Sequence, residues 1–412
     1  MGGRAELIML AGGTTPAAAE GAERVIDRIR AEEPRTVVLH HDLRDAGRGL
    51  VRRRMRLGNA DQVTVLELAH GCVSCTLRED VLPLLRELGR RRHVERIVLH
   101  LDPVLEPEQV CWTVRHVLVN GAPVTDAVEL RGVITILDAE AWLADVAGAD
   151  DVADRDLAVL PDDDRTLAQL VVAQAEFADL LVHTGAAEPW QAARTEAVLA
   201  RLAPCAVRLP LDRLDRRVLL ERLPAGARRG VTDDLHAALL HGQPPLHADA
   251  GVQLVTFNAR RPFHPERLHA AVDVLLDGVI RTRGRIWLAT RPDAVLWLES
   301  AGGGLRLGHA GGWLAADPEA WEHADPERRA AAALRWHDRW GDRAQELTIL
   351  VHDADPAVVD AGLREALLTD RELAAGESAW RHYPDPFGWW HTDPCDDITP
   401  QPVTGRHQED QA

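Results

Sequence analysis

Glu6-Leu7-Ile8-Met9-Leu10-Ala11-Gly12-Gly13-Thr14-Thr15-Pro16 sets the reading of the chain. Residues 6–11 form an apolar run too short for a helix, which reads as a buried strand. Two glycines end it, and residues 17–31 read as a helix that Thr14 or Thr15 caps. A strand, a glycine turn and a helix in that order open an α/β sheet of parallel strands. The alternation continues downstream. Residues 37–39, 63–68, 97–99, 133–137 and 180–182 are further strand-like runs, and 81–88 and 166–177 are helical. The Asp-rich segment 145–164 reads as a solvated insertion.

The second half has a different rhythm. Strands are expected over 252–257, 285–290, 294–298 and 346–352, and helices over 265–276 and 356–368, an α+β pattern. Nine of the twelve tryptophans fall from Trp287 onward, where they serve mostly as core. The stretch 224–251 carries Pro, Gly and His with weak periodicity and marks a boundary. The expected division is a first domain over 1–225, a linker over 226–250, a second domain over 251–392 and a disordered polar tail over 393–412.

Composition narrows the function classes. The formal net charge of −18 argues against a nucleic-acid binder, which carries a basic footprint. No apolar run reaches membrane-spanning length, and residues 7–11 are too short for a secretion signal. A cytoplasmic protein without a membrane partner is expected. All 47 basic residues are arginine, and lysine is absent. That excludes Schiff-base chemistry and the lysine contact of a phosphate-binding loop.

The most specific feature is Glu67-Leu68-Ala69-His70-Gly71-Cys72-Val73-Ser74-Cys75-Thr76-Leu77-Arg78-Glu79-Asp80. Cys72 and Cys75 are a CxxC pair on a strand-to-helix turn. Two thiolates so spaced hold one borderline or soft ion such as Zn²⁺ or Cu(I). A tetrahedral site needs further donors, for which His70, His40 and His41 are the candidates. The competing reading is two small buried residues in a tight turn. Cys111 and Cys205 sit in apolar surroundings and are expected in the core.

That stretch resembles the CobW-like GTPases, relatives of the HypB and UreG metallochaperones, whose motif reads E-L-x-N-G-C-x-C-C-T-L-R-x-D. Here Ser74 replaces the middle cysteine. Arg261-Pro262-Phe263-His264-Pro265 resembles the start of the family's C-terminal domain, and Arg281-Thr282-Arg283-Gly284-Arg285-Ile286-Trp287-Leu288-Ala289 resembles its R-x-K-G-x-x-W-x-A element. The resemblance, over residues 6–390, implies a P-loop NTPase-like parallel-sheet domain followed by a smaller α+β CobW C-terminal-like domain. It implies a zinc-binding metallochaperone or metal sensor with a metal-receiving client, and GTP with Mg²⁺ as family ligands.

Three nucleotide elements depart from the family. The loop that would cradle phosphates is Gly12-Gly13-Thr14-Thr15, with Gly13 where the lysine should stand; it is either a phosphate nest or a capped turn. In the E-x-x-G element His100 replaces Glu and Pro103 replaces Gly, and Asp102 beside them holds a metal or caps a loop. At the guanine-reading N-K-x-D position the chain has His183-Thr184-Gly185-Ala186. The expectations are a metal carrier that no longer hydrolyses GTP, an atypical GTP-dependent chaperone completed by an arginine from a homodimer partner, or an interaction module without ligands.

Overall fold

The computed structural model describes residues 4–68, 73–160, 163–214, 223 and 225–388. In chain order the first half contains β1 (Ala5–Gly12), β2 (Thr36–Asp42), β3 (Leu50–Leu57), β4 (Ala60–Glu67), β5 (Arg96–His100), a minor hairpin of β6 (Leu118–Val119) and β7 (Ala122–Pro123), β8 (Val128–Asp138), β9 (Leu180–Thr184) and β10 (Val207–Pro210). Eight of these form one sheet in the order β10-β9-β8-β1-β5-β2-β3-β4. The pairs from β10 to β2 are parallel, and the β3–β4 hairpin closes the far side with antiparallel pairing.

Burial on both faces explains the apolar central strands. On one face α1 (Pro16–Glu32) seats Ala18, Ala22, Val25, Ile26 and Ile29 against Ile8, Leu10, Val38 and Val98. On the other face lies a helical run of α2 (Val73–Thr76), a π-helical turn Leu77–Val81 and α3 (Leu82–Gly89), followed by α4 (Pro107–His116). Leu77, Val81, Leu82, Leu85 and Leu88 pack there on Leu7, Met9, Val37 and Leu39. Helices α5 (Trp142–Ala147), α6 (Leu167–Glu176) and α7 (Pro189–Leu202) complete the first half.

The second half is an antiparallel sheet of β11 (Gln253–Ala259), β12 (Val279–Ile286), β13 (Ala294–Ala301), β14 (Gly304–Gly312) and β15 (Gln345–Val351), in the order β11-β15-β12-β13-β14. The parallel-sheet domain followed by an α+β domain agrees with the sequence expectation. The two share a core in which Leu254, Ile280, Ala301 and Leu350 pack with Leu167, Val171 and Val198. Polar contacts reinforce it: Glu176 of α6 accepts from Arg283 at 2.6 Å and pairs with Arg281 at 3.1 Å. Burial pushes the Glu176 carboxyl up, but the two guanidiniums outweigh it and hold the group below its ordinary range.

Several local expectations need correction. The strand expected over 285–290 ends at Ile286, because the Trp287 amide donates to Gln345 Oε1 and its carbonyl receives the Phe263 amide and Gln345 Nε2. The Asp-rich segment is not simply solvated. Asp145 is buried and pairs with Arg155 at 3.2 Å, and Val152 is fully enclosed. Cys111 is buried as expected, whereas Cys205 is only partly covered. Trp287, Trp313 and Trp380 are core, but Trp336 is half exposed. The tail after residue 388 lies outside the described residues.

Candidate metal centre and the turn after the first strand

Strand alternation decides what His40 and His41 can reach, since consecutive side chains point to opposite faces of a sheet. His41 shares the face of Val37 and Leu39, toward α2 and α3, and is buried. Its Nε2 lies 2.7 Å from Asp80 Oδ2, and Arg53 of β3 donates to Asp80 Oδ1 at 2.6 Å. The π-helical turn carries Asp80 five residues beyond Cys75; such turns are rare and concentrate at functional sites. His41 Nδ1 is buried without a hydrogen-bond partner. In the tautomer whose proton sits on Nε2 toward the carboxylate, Nδ1 carries a lone pair with no partner in the chain. A histidine that gives one nitrogen to a carboxylate and keeps the other for an ion is the usual arrangement around zinc.

His40 does something else. It faces the α1 side, its Nδ1 lies 3.0 Å from the His100 carbonyl, and the two imidazoles lie 4.8 Å apart. Burial first, and then the charge of His40, push His100 down to about 3, so that it stays neutral. The structure thus separates His40 from His41. Cys75 lies half-buried in α2, while His70 and Cys72 fall outside the described residues. Among the described residues no group of three or more His, Cys, Asp or Glu side chains is assembled as an ion site. Asp80 and Arg53 are the contributors that sequence reasoning passed over. Asp80 closes the cysteine motif, which was its one visible signal; Arg53 gave none.

The turn after β1 has a different character. Gly13, Thr14 and Thr15 alone separate β1 from α1. A P-loop of the form G-x-x-x-x-G-K-S/T needs a longer excursion to wrap phosphates. Gly12 adopts φ 98°, and a Cβ there would lie 2.3 Å from the Ile136 carbonyl oxygen, so this position tolerates only glycine. Thr15 is the N-cap of α1: its Oγ1 accepts from the Ala18 amide at 3.2 Å and donates to Asp138 Oδ2 at 2.8 Å.

The other two nucleotide elements are also occupied by structure. Asp102 accepts from the Leu43 amide with one oxygen and from the Val104 amide with the other, at 2.9 and 3.2 Å. It is a loop cap, and burial raises its carboxyl. The carbonyl of Pro103 receives Gln174 Nε2 at 2.7 Å. At the guanine-reading position Thr184 Oγ1 donates to the Leu137 carbonyl, and Gly185 at φ 73° lies against Glu140.

Comparison with known proteins identifies the two domains. The model of the CobW/HypB/UreG nucleotide-binding domain matches residues 42–202, downstream of β1 and α1, and that of the cobalamin synthesis protein cobW C-terminal domain matches 252–367. A Mycobacterium tuberculosis protein named a zinc chaperone is 49% identical over 374 residues, covering 88% of this chain and 89% of that one. A Dictyostelium discoideum protein named zinc-regulated GTPase metalloprotein activator 1 is 25% identical over 337 residues, covering 78% and 70%. The Zn(II)-bound YjiA GTPase from E. coli aligns at a TM-score of 0.37 with 12% identity, over 89% of this chain and all of that one, a likeness too weak to weigh. With both domain models matched in order and near-half identity along most of its length, the chain belongs to the CobW family.

Proposed function

We propose that the protein is a cytoplasmic metallochaperone that carries Zn²⁺ as cargo to a client protein and does so without conventional GTP hydrolysis. The observation that carries the zinc reading is the buried, unpartnered Nδ1 of His41, with its ring fixed through Nε2 by Asp80 and Arg53, under the helical run that bears Cys75. Cys72 and Cys75 would supply thiolates and His41 an imidazole nitrogen. His70 is the nearest further donor in sequence. The names of the M. tuberculosis and D. discoideum relatives support zinc as the ion. With Ser74 in place of a third thiolate, such a site holds zinc less tightly than three cysteines would, which suits an ion that must be handed on.

Support for the loss of hydrolysis comes from the short, capped turn after β1 and from the absence of lysine. Phosphoryl transfer depends on electrostatic stabilisation of the outer phosphates. The test is calorimetric titration of reduced, metal-free protein with Zn²⁺, in the presence and absence of Mg-GTP. Zinc binding that is indifferent to GTP is the expected outcome. Zinc affinity that changes with GTP would overturn the second half of the reading, and no zinc heat under either condition would overturn the first.

A further inference from the structure

Strand β4 ends the large sheet, and no other described strand pairs with its outer side. The connection Gly58-Asn59 joins Leu57 and Ala60 as paired residues, and a two-residue hairpin closes on a hydrogen-bonded pair. Antiparallel pairs alternate in type from there. The amides and carbonyls of Gln62, Thr64 and Leu66 therefore face β3, and those of Asp61, Val63, Val65 and Glu67 face outward. Among the described residues none of these outward groups bonds elsewhere in the chain. Val63 and Val65 are also 60% and 58% exposed, uncommon for β-branched residues on a strand. Proteins ordinarily blunt such edges with proline, lysine, a bulge or a covering segment. The β3–β4 register runs from Leu50–Glu67 to Leu57–Ala60 without a shift, and β4 contains neither proline nor lysine.

We propose that β4 is a docking edge that takes up an extended segment of the zinc-accepting protein as an additional strand. The identity of the partner rests on the zinc-carrier reading above; the edge itself does not. Main-chain hydrogen bonds to the outward groups would give affinity, and alternate side chains would give specificity. Charge names the segment. The exposed row reads Asp61, Val63, Val65, Glu67, two carboxylates flanking two valines. Its complement is basic-x-apolar-x-apolar-x-basic, a pattern that reads the same in either strand direction. A second copy of this chain fits poorly. In the register that sets Val63 opposite Val65 of the copy, Asp61 meets Glu67 twice, and like charges directly opposed are unfavourable. Asp61 is partly compensated by Arg54, at 2.9 and 2.5 Å, whereas Glu67 has no ion pair among the described residues, so the basic residue opposite Glu67 matters more. In sequence, Cys72 and Cys75 follow Glu67 by five and eight residues.

The test uses the full-length zinc-loaded protein and a labelled peptide Lys-Thr-Val-Thr-Val-Thr-Lys. Comparators are the same peptide with glutamate ends and one with a central proline. Val65→Pro removes an outward amide while sparing the bonds to β3, as edge strands tolerate. Val65→Lys is the second variant, should the proline disturb folding. The basic-ended peptide is expected to bind at least about tenfold more tightly than either comparator. Both variants should lose that preference while keeping the wild-type zinc stoichiometry and melting temperature. Equal binding of all three peptides, or unchanged binding by both variants, overturns the proposal. So does a wild-type dimer that Val65→Pro converts to monomer, since the edge would then be taken by a second copy. Peptide binding in a protein that takes up no zinc would leave the docking edge standing and remove the zinc-carrier reading alone.

Discussion

β1 and β4 belong to the same sheet and each is followed by a helical run, but the side chains near the two connections are satisfied differently. After β1 the side chains are satisfied internally: Thr15 caps α1 and reaches Asp138, and Gly12 is pressed against the Ile136 carbonyl. The helical run that follows β4 is locally π-wound, and beside it the Nδ1 of His41, on β2, is buried without a partner. On the zinc-carrier reading, that nitrogen beside the thiol-bearing helix is the one offered to the ion. The polar side chains of the first turn are thus paired within the chain, whereas His41 Nδ1, beside the second, is not. Variants at the first should therefore cost stability and leave zinc alone, and variants at the second should do the reverse.

The largest effect is expected from Cys72→Ser combined with Cys75→Ser. Loss of both thiolates should weaken zinc binding about a thousandfold or more, about 4 kcal/mol. The thermal midpoint of the metal-free protein should stay where it is. Zinc content measured by mass spectrometry after dialysis checks the first statement and a melt checks the second. Unchanged zinc content would sink the metal site.

Next comes Gly12→Ala. The added methyl would overlap backbone at 2.3 Å, in a region of φ that L-residues avoid. All the atoms it would meet are Ile136 backbone rather than a flexible side chain, so the strand must shift. A loss of about 3 kcal/mol or more in urea unfolding is expected, with zinc stoichiometry unchanged in the folded fraction. A loss near zero would show that the turn is not locked as described.

These two variants also show what the sequence discloses and what it hides. The strand–turn–helix at residues 6–31 is legible because a fully buried strand is continuously apolar and Thr15-Pro16 is a strong helix start. β3 escapes a pattern search because Leu50-Val51-Arg52-Arg53-Arg54-Met55-Arg56-Leu57 looks solvated. Its arginines are in fact held by carboxylates, Arg53 by Asp80 and Arg56 by Glu23, both distant in sequence, and Arg54 by Asp61 across the hairpin. β14 hides for another reason: Gly304, Gly308, Gly311 and Gly312 give it little strand propensity, and pairing with β13 makes it a strand. The cysteine motif is legible as a candidate ion site because ligand chemistry is tied to residue type. Which histidine serves it is not legible from composition, although strand alternation already says that His40 and His41 diverge.

Asp80→Asn sharpens the second turn. The amide still reaches His41 but removes the charge that orients the ring and neutralises Arg53. Outer-shell partners of zinc-binding histidines are worth about tenfold to a hundredfold in affinity. A loss in that range is expected by competition titration with a zinc chelator. Equal affinity in the variant would mean that His41 is not a ligand.

The smallest effect belongs to Thr15→Val, and it bears most directly on the difference between the two turns. Valine is close in shape to threonine but neither accepts from the Ala18 amide nor donates to Asp138. Loss of an N-cap costs about 1 kcal/mol. Leaving Asp138 short of a donor adds little, because its other oxygen still accepts from the Glu140 amide at 3.1 Å. In a working nucleotide site the same hydroxyl would face Mg²⁺, and its removal would abolish Mg-GTP binding while barely touching stability. Unfolding and Mg-GTP titration, run side by side on this one variant, thus give opposite patterns for the two roles. A stability loss of about 1 kcal/mol with no change in nucleotide heat assigns Thr15 to the helix. A vanished nucleotide heat with unchanged stability would assign it to a phosphate site and reverse the account of the first turn.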